Sequence, residues 1–218
     1  MEEKEVLAYL QSLVTPRRKQ LFETVAATRT HHFTVAVEDV GHLHNTSAVI
    51  RSCEAFGIQQ VQVVEDRFGK RIDREIAMGA QKWTSVQRHT SSQDAVEKLR
   101  GKGYQIVATS PHKKESTLAN FDCTQPAALF FGSEAKGLSE QVLETADSFI
   151  YIPTYGFTES LNISVSAAII IQELMARLRG SKIAWQLSNE EQQKLQLQWL
   201  KKHIKNVDEI LNNWHAEQ

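Results

Sequence analysis

Apolar residues near the start of the chain recur every three or four positions, a spacing that predicts an amphipathic helix. Thr15-Pro16 is typical of an N-cap followed by the first residue of a second helix, which we expect to end near Thr28. The stretch "FTVAVEDV" (33–40) is rich in strand-forming residues and predicts the first strand. The apolar residues that predict the first helix are Val6, Leu7, Leu10, Leu13 and Val14.

Strands and helices then alternate through the centre of the chain. A nearly continuous apolar run, "PAALFFG" (126–132), is typical of a strand covered on both faces of a parallel sheet. The alternation predicts an α/β fold of three layers with a mostly parallel sheet. Further strands are expected at 61–66, 82–89, 104–110 and 148–153, and helices at 45–57, 92–103, 138–146 and 160–179.

The tail from Ser188 onward carries a separate amphipathic stripe with basic residues outside it. It must pack either on its own domain or on a second subunit. We therefore divide the chain into an N-terminal helical extension with basic residues (1–30), a central domain (31–180) and a C-terminal amphipathic helical extension (181–218). The apolar stripe consists of Leu200, Ile204, Val207, Leu211 and Trp214.

The predicted helix at 45–57 carries one arginine among small and apolar residues. Asn45 is a suitable N-cap, and Gly57 suits the left-handed residue just past the helix end. On a helical wheel Val49 and Cys53 share one face, whereas Arg51 points to the opposite side. Arg51 is therefore either an ordinary solvated charge or a functional group.

Composition is that of an ordinary soluble globular protein, with 41% hydrophobic and 23% charged residues. The net charge is −1, so nucleic acid would have to be bound through local basic patches. Cys53 and Cys123 have no CxxC spacing, which argues against a disulfide scaffold or zinc site and fits a reducing compartment. No apolar run is long enough to span a membrane and "MEEKE" is not a signal peptide, so a cytoplasmic location without membrane contact is expected.

Loops that follow parallel strands are the expected ligand sites, and here they cover 39–45, 131–139 and 152–166. Gly132, Gly137 and Ser139 have the spacing of a phosphate-binding loop, but Leu138 replaces its lysine, which excludes a nucleoside triphosphatase of this type. The absence of GxGxxG after any strand makes a nicotinamide-dependent oxidoreductase a remote alternative. The histidines at 42 and 44 lack accompanying cysteines or carboxylates, so no metal is expected.

Together the three loops carry motifs in a recognisable order. They resemble the SpoU (TrmH) family of RNA 2′-O-ribose methyltransferases, within the SPOUT superfamily, over about residues 15–179. The likeness is greatest to the TrmH branch, which methylates guanosine 18 in the D-loop of tRNA. Ser47 and Thr154 depart from the residues that are frequent in the family. The motifs are Asn45 through Arg51 to Gly57, Phe131-Gly132-Ser133-Glu134 with Gly137, and Ile152-Pro153 followed by Ser160-Leu161-Asn162-Ile163-Ser164-Val165.

The resemblance implies a fold with a deep C-terminal trefoil knot, S-adenosylmethionine as cofactor, tRNA as substrate and a homodimer built on the first- and third-motif helices. Each active site would be completed by the other subunit. Arg51 would be catalytic, either stabilising the developing alkoxide or acting as a base with help from an RNA phosphate. The implied catalytic set is Arg51, Asn45, Glu134 and Asn162.

The cofactor would be held mainly by main-chain groups of Thr109, Gly132, Ile152, Ser160 and Leu161. Ile152 and Leu161 could instead be core residues, and Ser160 and Asn162 could be helix caps. The candidate RNA contacts, each of which could also be a solvated surface group, are Arg17, Arg18, Arg29, His44, Arg177 and Arg179.

Two further alternatives remain open from the residues alone. The same reaction could act on another RNA site, in ribosomal RNA or at another tRNA position. The chain could also be an RNA-binding module without catalysis, although the presence of Arg51, Asn45, Glu134 and Asn162 favours an enzyme.

Overall fold

The computed structural model describes residues 3–38, 43–64, 77–113, 116–133 and 136–216. The chain divides into two compact units. The central unit is Thr30–Trp185, and the terminal unit combines Met1–Arg29 with Gln186–Gln218. The two extensions that the sequence predicts at either end thus share one unit.

A parallel sheet forms the central unit. The strands of the described ranges are β1 (Phe33–Glu38), β2 (Gln60–Val64), β3 (Ser85–His89), β4 (Gln105–Thr109), β5 (Ser116–Thr117), β6 (Ala127–Phe131) and β7 (Ser148–Tyr151). They lie in the order β3-β2-β1-β6-β4-β7-β5, and every pairing is parallel. The α/β class with a mostly parallel sheet is confirmed, although the sequence pattern did not predict the two-residue β5.

Helices cover both faces of this sheet. They are α3 (Leu43–Phe56), α4 (Ser92–Gly101), α5 (Glu140–Thr145) and α6 (Ile163–Arg179). Every residue of β1 is buried, and successive side chains enter different clusters: Val35 joins the one that includes α3 and α6, whereas Ala36 joins the one that includes α4 and α5. This alternation follows from the strand period of two and makes three layers.

The carboxyl ends of β6, β4 and β7 meet at one edge of the sheet. Ala108 of β4 is in register with Phe130 of β6, and Thr109 is in register with Ile150 of β7. The loops that follow these strands therefore begin side by side, which is where a parallel sheet places a ligand site.

Helix α3 starts earlier than its sequence predicts. It begins at Leu43, so the assignment of Asn45 as its N-cap is wrong: Asn45 lies inside the first turn, and its side chain is bonded elsewhere. Gly57, which follows the helix, has φ of +89°, as expected for a left-handed residue past the end.

The terminal unit consists of helices. They are α1 (Glu3–Ser12), α2 (Pro16–Ala27), α7 (Asn189–His203) and α8 (Val207–Ala216). Helix α7 packs on α1 and α2, with Trp199 and Leu200 almost completely buried. The apolar stripe of the tail spans a break rather than one helix, since Asn206 adopts φ of +54° between α7 and α8. Tyr9 of α1 stacks on Trp214 of α8 with ring centroids 4.4 Å apart.

Candidate functional site

A cavity of about 330 Å³ opens at the carboxyl ends of β4, β6 and β7. Its wall combines apolar side chains from the strand ends with polar groups from the loops. The lining residues come from 109–112, 131–133, 136–138, 143, 150–152, 154, 159–161, 163, 166 and 170.

All the residues that the sequence predicts for cofactor binding line this cavity: Thr109, Gly132, Ile152, Ser160 and Leu161. The Thr109 hydroxyl donates to the carbonyl of Phe130 over 2.8 Å, which ties the end of β4 to β6. Ile152 and Leu161 are both half-buried, and Ile152 also packs against the core, so it combines the two roles that the sequence left open. The cavity brings together three segments that are far apart in the chain.

Gly132 is required by a close approach of the chain to itself. A Cβ added there would lie 2.1 Å from the carbonyl carbon of Gly137 and 2.2 Å from the amide nitrogen of Leu138. Gly137 itself has φ of +68°, a conformation that L side chains rarely adopt. Its amide donates to the carbonyl of Ser133 over 2.8 Å, which turns the loop back on itself.

Asn45 and Asn162 connect the first motif to the third. Asn162 Nδ2 donates to Asn45 Oδ1 over 3.2 Å. The side-chain oxygen of Asn162 caps α6, since this Oδ1 accepts from the Ser164 amide at 2.9 Å and from the Ser164 hydroxyl at 2.6 Å. Asn162 thus serves as a helix cap and as the connection between the two motifs.

Arg51 lies on the solvent-exposed face of α3. Val49 and Cys53 are fully buried, which confirms that the arginine points away from the apolar stripe. No described residue accepts a hydrogen bond from its guanidinium, so this cation is available to a ligand or another chain. Glu134, the remaining predicted catalytic residue, lies outside the described residues.

The predicted RNA contacts differ in exposure. Arg17 and His44 are exposed and Arg18 is partly exposed. For Arg29 the prediction is wrong: its side chain is 1% exposed and its guanidinium lies 5.5 Å from the Trp199 ring centroid, so it is part of a core. A local pattern could not reveal this contact between distant parts of the chain.

The two arginines at the end of α6 are bonded within the central unit. Half-buried Arg177 donates to the carbonyls of Leu118 at 3.0 Å and Phe121 at 2.5 Å. Arg179 donates to the carbonyl of Phe56 over 2.8 Å and is exposed. A hydrogen bond from the Thr124 amide lowers the pKa of Asp122, and the charge of Arg177 contributes to the same shift.

Sequence reasoning missed three described cavity residues with ionisable side chains, which are His112, Lys136 and Glu159. Their position in loops after β4, β6 and β7 was the available signal. It also missed Glu38, a 3% exposed carboxylate at the end of β1. A carboxylate at the end of a fully buried strand is unusual enough to have been a signal.

The region matched by a known family lies within the central unit. The model of the SpoU rRNA methylase family matches residues 32–172. The chain belongs to this family.

Within the part of the chain that the structure describes, no helix is long and apolar enough to cross a membrane, and no group of three or more His, Cys, Asp or Glu residues could hold a metal ion.

Relatives within the SpoU family extend the match to both ends of the chain. The chain is 35% identical to a tRNA (guanosine(18)-2'-O)-methyltransferase of Borreliella burgdorferi over 206 residues, 94% of each protein. It is 34% identical to the protein of the same name in Thermus thermophilus, over 86% of this chain and 98% of that one. The crystal structure of the A. aeolicus TrmH/SpoU tRNA modifying enzyme superimposes with a TM-score of 0.78 at 30% identity, covering 86% of this chain and 97% of that one.

Proposed function

We propose that this SpoU-family protein transfers a methyl group from S-adenosylmethionine to the ribose 2′-hydroxyl of guanosine 18 in the D-loop of tRNA. The observation that carries the proposal is a cavity lined by every residue predicted to bind the cofactor. The two relatives above that share this named activity match the chain over 86% or more of its length. Its proposed location is the cytoplasm, where tRNA would be available to it.

The cavity suits S-adenosylmethionine in size and chemistry. Its volume of about 330 Å³ lies at the lower end of the usual range for small-molecule sites. Ile150, Ile152 and Leu161 offer apolar surface for an adenine ring, and Lys136 and Glu159 offer charges opposite to those of a carboxylate and an ammonium group. When bound, the cofactor supplies an electrophilic methyl group on a sulfonium.

The residues of the chain must then hold the ribose and stabilise the charge that develops on it. A 2′-hydroxyl is a weak nucleophile, so it must be aligned with the methyl carbon and lose its proton. Arg51 is proposed to stabilise the developing alkoxide, because its guanidinium is charged at any physiological pH and is exposed on α3. Asn45 and Asn162 keep the first and third motifs in register for this step.

The active form is proposed to be a homodimer. Val165 and Ile169 on α6 are 45% and 39% exposed, so the third-motif helix presents apolar side chains outward. An apolar helix face of this kind is typical of a subunit interface. A partner seated on this face would bring its own α3 and Arg51 close to the shared site.

A knotted chain is proposed as well. After β7, which lies between β4 and β5, the chain returns to α6, and α6 packs against α3 on the β1 side of the sheet. This return passes the ends of β4 and β6, where the loop after β6 folds closely on itself at Gly132. That path supports the threading that the family resemblance implies.

Transfer of labelled methyl from S-adenosylmethionine to unmodified tRNA, followed by mapping of the label by mass spectrometry, tests the function. Label on the ribose of guanosine 18 is expected, and a transcript with another nucleotide at that position should remain unlabelled. Label at a different nucleotide would correct the target and keep the reaction. Binding of tRNA without any transfer by the wild-type protein would overturn the enzymatic proposal.

A further inference from the structure

A buried carboxylate at the end of β1 anchors the loop that forms one wall of the cavity. Glu38 is 3% exposed. Its Oε2 accepts from the Ser139 amide at 2.7 Å, and its Oε1 accepts from the Ser139 hydroxyl at 2.6 Å and from the Ser92 hydroxyl. Burying a charge is unfavourable unless hydrogen bonds replace its hydration, and these donors do so.

None of the described cations forms an ion pair with Glu38, so its donors are neutral groups at the beginnings of two helices. Ser139 is the N-cap of α5, and Ser92 is the first residue of α4. A carboxylate is favoured at helix N-termini by the partial positive charge of their unpaired amides. The position is therefore one that selects an acid over an amide of the same shape.

Ser139 directly follows the cavity loop, which we define by its described residues, 132–133 and 136–138. The first residue of this loop follows β6, whose Phe131 is in register with Val37 of β1. Its last residue, Leu138, lines the cavity and precedes the amide that Glu38 holds. Both ends of the loop are thus attached to β1, one through the sheet and the other through Glu38.

We infer that Glu38 is a positioning residue for S-adenosylmethionine, fixing the cavity loop in its binding conformation through Ser139. The inference rests on the proposed function. Glutamine keeps one oxygen for the Ser139 amide but turns its NH2 toward the Ser139 and Ser92 hydroxyls, which must then accept instead of donate. The negative charge is lost as well, so the attachment of this end of the loop weakens. Arg51 and the two asparagines are left in place, so cofactor binding should weaken while the chemical step persists.

The test compares the full-length wild-type protein with Glu38→Gln and with a matched control, Glu140→Gln. Glu140 is an exposed carboxylate in the first turn of the same helix, α5. Isothermal titration with S-adenosylmethionine should show a Kd raised about tenfold or more for Glu38→Gln and unchanged for the control. The KM for the cofactor should rise in parallel, with kcat and the KM for tRNA within about twofold of wild type.

Amide hydrogen exchange of the cofactor-free proteins gives a readout that does not need activity. Exchange of the segment 132–139 should be faster in Glu38→Gln, and exchange of the loop 152–161 should match wild type. Glu38→Asp keeps the charge on a shorter side chain and should restore part of the affinity. If Glu38→Gln does not fold, Ser139→Ala decides in its place, since it removes the hydroxyl donor and keeps the amide.

Equal cofactor affinity and equal exchange in wild type and Glu38→Gln would overturn the inference, as would a lower Tm with unchanged affinity. If Ser139→Ala is the variant used, a cofactor affinity and an exchange rate equal to those of wild type would also overturn the inference. A wild-type protein that does not bind S-adenosylmethionine would instead overturn the proposed function, and the exchange comparison would still show whether Glu38 holds the loop.

Discussion

Asn162, the N-cap of α6, donates a hydrogen bond to Asn45 in the first turn of α3, 117 residues earlier in the chain, over 3.2 Å. Helices α3 and α6 also pack against each other. The hydrogen bond therefore fixes the two motifs at their polar ends while apolar packing fixes them along their length. Removing it should alter alignment more than stability.

Asn162→Asp separates these two effects. Aspartate keeps the capping oxygen for Ser164 and is as good an N-cap, so unfolding free energy should change by less than about 0.5 kcal/mol. It lacks the amide donor and sets two oxygens against each other at Asn45. Because misalignment by an ångström costs about a hundredfold in rate, kcat for methyl transfer should fall by about tenfold to a hundredfold. Unaltered kcat with a normal Tm would show that the hydrogen bond has no part in the reaction.

Arg51→Ala should remove transfer with little effect on the fold. The side chain is exposed, so the Tm and the Kd for S-adenosylmethionine should stay near wild type. Loss of a charge that acts only in the transition state should lower kcat by about a thousandfold. Arg51→Lys retains the charge without the planar fork and should recover part of the rate. Comparable turnover in Arg51→Ala and wild type would assign the step to another group.

Gly132→Ala should damage the cofactor site directly. The new methyl would lie 2.1 Å from the Gly137 carbonyl carbon, so the loop must move to accommodate it. The matched control is Gly156→Ala, whose nearest neighbour would be the Thr158 amide at 4.0 Å. Calorimetric titration with S-adenosylmethionine should detect no binding by the first variant and near-normal binding by the second. Equal affinities would indicate that the loop has room for the methyl.

Removing Arg17 and Arg18 of α2, which are exposed and partly exposed, tests their predicted role in binding tRNA. A variant with both Arg17→Ala and Arg18→Ala should bind tRNA more weakly, and the slope of log affinity against log salt should fall by about one for each phosphate that these side chains neutralise. Lys205→Ala, which removes another exposed cation of the terminal unit, is the control. An unchanged salt slope would make these arginines ordinary surface charges.

Arg29→Ala, by comparison, should lower the Tm because its side chain is buried.

Acid stability should depend on Asp94. Hydrogen bonds from Lys98 and then from His89 lower the pKa of its carboxylate from the ordinary value of 3.8. A pKa that is lower in the folded state contributes stability that is present above the unfolded value and lost as the pH falls through the folded value. The Tm difference between wild type and Asp94→Asn should therefore be fully present above about pH 5 and shrink as the pH falls below 3.8. A difference that does not vary over that range would contradict the assignment.

Local patterns predicted those features that depend on neighbours in the chain. The buried run at 127–131 and the outward direction of Arg51 follow from strand and helix periods, and both are confirmed. The predicted start of α3 was wrong because the helix begins at Leu43, two residues before the residue with the best capping side chain. The side chain of Asn45 instead accepts a hydrogen bond from the third motif, which local spacing does not reveal. The prediction for Arg29 was wrong for a related reason, since its partner Trp199 is distant in sequence.

The residues of the candidate site could be predicted from the sequence where they belong to a recognisable motif. Most of the residues proposed to bind the cofactor were predicted from motifs in a known order, whereas Glu38 belongs to none of these motifs, and its place at the end of a buried strand does not reveal the group that it holds. Its role depends on Ser139, 101 residues away. The break at Asn206 was hidden because the apolar spacing continues across it while the backbone does not.

The cavity has a consequence for how the protein is made. Its wall includes Ile163, Ser166 and Ile170, in the first half of α6, as well as residues from the ends of β4 and β6. A chain emerging from the ribosome therefore builds most of the sheet before the last wall exists. Nascent chains that stop short of residue 170 should not bind the proposed cofactor, so binding would show that synthesis has passed the first half of α6.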